Sequence, residues 1–241
     1  MFVRRIKQFL REKRMQLLLV SPFITIIFSF LLVSGFTNTD DNPERNALLS
    51  ANLFTVFVLF GFSLCSGLFI IAPVTDKECK MRQMLTFIGM KPLSYYTGSF
   101  LADFVLFIIP SIGFMALLFP LGIKLFIMDG TWALLFVVMV TFGMSLISVT
   151  YLFSFLYSNP NTAFRQIGLI YYFGGTFLPL IVSTLIAGVT QSLDTYKTIR
   201  YIFFIDPFWN FKDALEYNFL TNLGKEFYDP EVRKKFMEAI D

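Results

Sequence analysis

VTDKECKMRQMLTFIGMKPLSYYTGSFLADFVLF, residues Val74 to Phe107, decides how this chain folds. It is the one long polar interruption in the first three quarters of the chain that reads as a structured element. Within it, Asp76 to Ile88 carries Lys77, Glu78, Lys80, Arg82 and Gln83. Among these, Met81, Met84, Leu85 and Ile88 repeat at i, i+3, i+4 and i+7. That spacing puts the four apolar residues on one face of an amphipathic helix. Gly89 stands where a helix-ending residue belongs, and Pro92 lies just beyond it. An apolar segment precedes the helix and another follows it. The stretch therefore predicts a short capped helix on one face of a membrane, between two spans. Either it merely closes a loop at the interface, or it is a surface on which a soluble partner pushes.

Working outward, the composition sets the medium. Aliphatic, aromatic and sulfur residues make up 56% of the chain and charged residues 15%. Soluble domains average about 25% charged, so this is an integral membrane protein, with one domain lying mostly in the bilayer. The absence of His excludes a His-based acid, base or metal ligand. Cys65 falls in a span and Cys79 in the polar helix, so neither a disulfide framework nor a zinc site is expected. No GxxxxGK[ST] loop is present, so the chain does not itself bind and hydrolyse ATP in the P-loop manner. It has no nucleophile-base pair, and no cofactor, metal or nucleic acid is expected. The abundant Phe, 32 residues, carries no assignment on its own.

Residues 1–15, MFVRRIKQFLREKRM, hold six basic residues against Glu12, with Phe2, Ile6, Phe9 and Leu10 as an apolar stripe. Such a helix lies naturally in the headgroup layer. A mitochondrial targeting segment has the same character, which leaves a mitochondrial inner membrane open. Gln16 to Val33 is the first span and contains Pro22. Ser34 to Ser50 is a polar, turn-rich loop. Ala51 to Pro73 is the second span, in which Gly61 and Cys65, and Ser63 and Gly67, are small residues four apart that let helices approach closely. Tyr95 to Pro120 is the third span and contains Pro110. Asp103 is the one ionisable residue deep within a span, which makes it a candidate pathway group. The alternative readings are that it is simply protonated, or paired near the interface, since it lies about two turns from Tyr95. A turn at Lys124 and Asp129 leads to the fourth span, Thr131 to Tyr157, with a mildly polar face at Ser145, Ser148, Thr150 and Ser154. Ile167 to Thr190 is the fifth span. After Gln191 the chain turns polar. Tyr201 to Ile205 is too short to cross, Asp206 to Trp209 reads as a turn with interfacial aromatics, and Pro230 to Ile240 as a short helix.

The fold class expected is an all-α polytopic membrane protein with about five transmembrane helices. It divides into an interfacial helix (1–15), a five-span domain (16–190) and an interfacial or re-entrant segment with a polar tail (191–241). Lys and Arg number eleven in the loops on one side, against Arg45 and Lys124 on the other. The positive-inside rule puts the N-terminus and the polar helix in the cytosol, or in the matrix of a mitochondrion.

Asp76, Lys77, Lys80, Arg82, Gln83, Leu85, Gly89, Met90, Ser94, Tyr95 and Tyr96 resemble the stretch after the second span in the membrane domain of ABC exporters, especially the lipid-associated A subfamily. Ser158, Ala163, Gly168, Tyr171 and Tyr172 resemble the start of that family's small-residue-rich fifth span. The resemblance implies that Asp76 to Ile88 is a coupling helix resting on a nucleotide-binding domain, with Asp76, Lys77, Lys80, Arg82, Gln83 and Gly89 as its partner-binding residues. It implies ABC ATPase subunits and a second membrane half as partners, and a lipid or other hydrophobic substrate. The chain departs from the pattern in its short first loop and in showing neither a sixth span nor an ATPase domain. A transport-inactive accessory subunit of a larger membrane complex is therefore the alternative expectation.

Overall fold

The computed structural model describes residues 1–36, 43–118, 131–182, 185, 201 and 203–226. Among them the fold is all-helical, without strands. α1 (Phe2–Arg11) leads into α2 (Lys13–Phe36), α3 (Pro43–Glu78), α4 (Met81–Phe87), α5 (Pro92–Leu118) and α6 (Thr131–Ser154). α7 (Pro160–Leu169) passes directly into a π-helical stretch, Ile170–Phe177, and on through 178–182. A single 3-10 turn, Phe203–Ile205, precedes α8 (Pro207–Glu226). Lys13–Leu32, Leu53–Glu78, Pro92–Leu118 and Thr131–Ser154 are long and apolar enough to cross a membrane. The expected fifth span is helical as far as residue 182. Most of its remainder lies outside the described residues, as do the Lys124–Asp129 turn and the Pro230–Ile240 helix.

α3 is the hub, packing against α2, α7, α6 and α8. Its span is 72% buried, against 28% for that of α2, so α3 is enclosed by protein while α2 turns most of its surface to lipid. Lipid tails are as apolar as Leu, so close helix contact in a membrane depends on small residues rather than on escape from water. Gly61 supplies one such contact. A Cβ there would fall 2.8 Å from the Pro22 Cα and against the Thr25 hydroxyl. The Ser21 hydroxyl crosses the same gap to the Gly61 carbonyl at 3.1 Å. At Gly67, Phe164 of α7 closes in, 3.1 Å from where a Cβ would stand.

The Phe residues find their place around Phe62 of α3. Its ring meets Phe107, Phe114, Phe142 and Phe211 at centroid distances of 5.8, 6.2, 5.8 and 6.0 Å. These rings come from α5, α6 and α8, and they form the middle of the core. Hydroxyls within the spans turn back onto their own helix carbonyls, as Ser29, Ser63, Ser66 and Thr150 do. The polar face expected on the fourth span is thus partly spent internally. Thr150 also meets the Tyr171 hydroxyl at 2.9 Å, tying α6 to the π-helical stretch.

Four boundaries differ from the sequence expectations. The polar loop Ser34–Ser50 shrinks, because α3 already starts at Pro43, a residue favoured at the first helical position. Hydropathy marks where a membrane border falls, not where a helix ends. Residues 1–15 are not one helix, since Glu12 is extended (φ −98°, ψ 102°) between α1 and α2. Asp76 to Ile88 is not one helix either. Asp76 to Glu78 complete α3, and the chain turns at Lys80 with a left-handed φ of 52° before α4 begins. Finally, Asp206 to Trp209 is no interfacial turn. The Asp206 carboxylate accepts the Phe208 N–H at 3.0 Å, Pro207 opens α8, and Phe208 and Trp209 are buried. Pro207, Asn210, Phe211 and Ala214 line one cavity with Val138, Thr141, Phe142 and Ser145 of α6. α8 packs on α6 through Phe208 and Phe211, whose rings both meet Phe142.

Candidate functional site

Five helix ends meet at the basic end of the bundle: α1, the end of α3, the start of α5, the end of α6 and the start of α7. The end of α3 is fixed there by its own charges. Asp76 is buried. Its carboxylate forms an ion pair with Arg4 of α1 and accepts the Tyr95 hydroxyl of α5 at 2.6 Å. The Lys77 ammonium donates to the carbonyls of Phe155 at 2.7 Å and Tyr157 at 2.9 Å. It satisfies carbonyls just beyond α6, where a cation also suits the negative end of the helix dipole.

One turn deeper, Arg5 enters the bundle. Its Nε donates to Asp103 Oδ1 at 2.6 Å and its Nη2 to the Leu68 carbonyl at 2.6 Å. The Tyr151 hydroxyl donates to the other Asp103 oxygen at 2.8 Å. Asp103 is fully enclosed and Arg5 is 4% exposed. A buried pair of this kind tolerates loss of neither partner, because the survivor becomes an uncompensated charge. The structure thus pairs Asp103 near the basic end, with both carboxylate oxygens engaged. Arg5 and Tyr151 were not singled out from the sequence. The usable signal was that an acid within a span requires a counter-charge, and α1, rich in Arg, supplies it.

Past the Lys80 corner the situation reverses. Lys80 and Gln83 are exposed, and Arg82 follows Met81 on the backbone of α4. Phe87 is 90% exposed, Ile88 82% and Met84 56%. Of the expected apolar stripe, only Met81 and Leu85 are partly covered. α4 ends as its sequence dictates. Gly89 takes φ +91°, its N–H meets the Thr86 carbonyl at 3.0 Å, and the Met90 N–H meets that of Leu85 at 3.0 Å. That pair of bonds is the Schellman closure, which glycine accommodates without strain. Between α4 and the start of α5 lies a groove of about 520 Å³, lined by Leu85, Phe87, Met90, Pro92, Tyr95 and Tyr96. Among the described residues no group of three or more His, Cys, Asp or Glu could hold a metal. The arrangement is a pinned helix end carrying a short exposed arm.

A membrane domain of this build has known counterparts. The model of a family described as ABC-2 family transporter protein matches residues 37–225. The chain belongs to that family, as a transmembrane component that is not itself the ATPase. It is also similar to the phospholipid-transporting ATPase ABCA3 of Homo sapiens, 21% identical over 150 residues. That match covers 62% of this chain and 9% of the relative. The Rattus norvegicus and Mus musculus proteins of the same description are each 19% identical over 150 residues, with the same coverage. The chain therefore corresponds to less than a tenth of the length of these relatives.

Proposed function

We propose that the chain is the membrane-spanning subunit of an ABC-type exporter, moving a lipid or another hydrophobic molecule, powered by ATPase domains on other chains and completed by a second membrane half. One observation carries this reading. α4 holds Phe87 and Ile88 bare at the basic end, on a helix too short to span, beside an apolar groove. Large apolar groups presented together in this way mark an interaction surface. The coupling reading of Lys80, Arg82, Gln83 and Gly89 fits that placement. Asp76 and Lys77 serve it from behind, by holding the helix end from which the arm projects. A push on α4 would pass through the Lys80 corner into α3, and from the hub into α7 and α6. Asp103 acts in this scheme as the clamp that keeps α1 on the bundle. The lipid substrate rests on the phospholipid-transporting relatives. The basic end faces the cytosol, or the matrix in a mitochondrial inner membrane.

Charge reversal at both Lys80 and Arg82 tests the proposal. Reconstituted with its ATPase, the variant should lose stimulation of ATP hydrolysis while melting like the parent chain. Unchanged stimulation would remove the coupling role. Mild extraction from native membranes, followed by mass spectrometry of co-migrating chains, separates the alternative. A large assembly with no ATPase makes this an accessory subunit.

A further inference from the structure

We infer that the pocket between the start of α2 and the start of α7 binds the headgroup of one anionic phospholipid, whose acyl chain lies along Leu17 and Phe164. The cavity is about 430 Å³. Lys13, Arg14 and Arg165 form its rim, Leu17, Leu18 and Phe164 its apolar part, and none of its lining residues is acidic. All three cations are exposed. None makes a hydrogen bond or ion pair with another described residue. Elsewhere at this end the basic residues Arg4, Arg5 and Lys77 are each consumed by an internal partner. Three unspent charges converging on one cavity repel each other unless an anion joins them.

The lower half of the pocket is built rather than incidental. Leu18 and Phe164 close over Gly67, 3.6 and 3.1 Å from where its Cβ would stand. Lys13 is the first residue of the span Lys13–Leu32. Leu17, 73% exposed, is therefore one turn into the hydrocarbon while the cations sit at headgroup level. The start of α7 contributes too. Asn159 caps it by accepting the Asn161 N–H at 2.9 Å, and Asn161 lines the cavity, so the positive end of that helix dipole points the same way as the side chains. A phosphate is the anion that three cations and a helix start accept in common. Free phosphate would use only the rim, whereas a phospholipid also covers Leu17 and Phe164. Basic pockets between spans at the cytoplasmic face suit such headgroups. The site does not depend on transport, only on the chain spanning a membrane.

The test uses the purified full chain in mixed micelles, titrated with phosphatidylserine or phosphatidylcholine, with retained lipid counted by native mass spectrometry. One phosphatidylserine per chain should be held in preference to phosphatidylcholine. Each cation near the membrane surface contributes about fivefold, so Lys13→Gln, Arg14→Gln and Arg165→Gln together should weaken retention on the order of a hundredfold. Arg165→Gln alone should cost about fivefold and guards against a misfolded triple variant. Lys7→Gln with Arg11→Gln, on the separate basic face of α1, should leave the stoichiometry unchanged. Inorganic phosphate at the same concentration should not displace the lipid. Equal retention of the two lipids overturns the proposal, as does an equal loss in the α1 control, which would mean diffuse attraction. Displacement by inorganic phosphate would make this a free-anion site and likewise overturn it.

Discussion

The end of α3 and the arm that follows it are separated by two residues and behave oppositely. At Asp76 and Lys77 every charge is answered from within the chain, by Arg4, Tyr95 and the carbonyls of Phe155 and Tyr157. Phe87 and Ile88 are left exposed by the described residues. An interfacial helix that only closed a loop would turn its apolar side to the bilayer, whereas a coupling arm would turn it to a partner. Together the fixed helix end and the exposed arm have the build that the proposed coupling role requires. The base of α4 is tied to α1, α5 and the end of α6 at once, which is what the proposed transmission of a push would use.

The contrast can be broken from the anchored side. Asp103→Ala strands the Arg5 guanidinium in the bundle and should cost about 3–5 kcal/mol, read as a lowered melting midpoint in detergent. Replacing both partners, Arg5→Met with Asp103→Leu, should recover most of that loss. If the double variant is as unstable as the single, the pair does more than neutralise itself. Gly61→Ala comes next, at about 1–3 kcal/mol for overpacking, because its Cβ meets the Pro22 backbone, which cannot swing aside. Gly67→Ala should cost less, about 1 kcal/mol, since Phe164 can turn away. Lys77→Met should cost about 1 kcal/mol through the carbonyls it leaves uncapped. Substituting Ser at Phe87 and Ile88 sharpens the comparison from the other side. Stability should stay within about 0.5 kcal/mol, while co-purification of the ATPase subunit is lost. A destabilised Phe87→Ser variant would show that the arm packs on its own bundle after all.

Much of this was readable beforehand. The all-helical membrane class, the amphipathic segment before Gly89 and its closure follow from hydropathy, period and one glycine, all local in sequence. The anchor was not readable in the same way. Arg4 and Asp76 are 72 residues apart and Arg5 and Asp103 are 98 apart, and periodicity carries no information over such distances. Nor could the stripe on α4 reveal whether its partner lies inside or outside the chain. α8 was hidden by its charges. Lys212, Asp213 and Glu216 make the stretch polar in sequence, yet Lys212 and Glu216 pair at 2.5 Å one turn apart, and the ammonium sits 5.1 Å from the Trp209 ring. Local neutralisation of this kind lets a helix with a polar sequence pack beside Phe142 and Phe62. The central place of α3 did leave a trace, in the small residues spaced four apart that admit α2 and α7.

The π-helical stretch Ile170–Phe177 has a consequence for how this chain can vary. Such a segment behaves as an α-helix that has absorbed an extra residue. Shortening it by one residue returns the turn to ordinary pitch and leaves the faces of Ala163 and Ile167 before it undisturbed. Length change within a membrane helix normally rotates everything downstream by about 100°. Here the surplus is confined to one place, beside Gly175 and the Asp206 carboxylate that lies against it. A chain one residue shorter at this point should therefore keep the rest of its bundle in place.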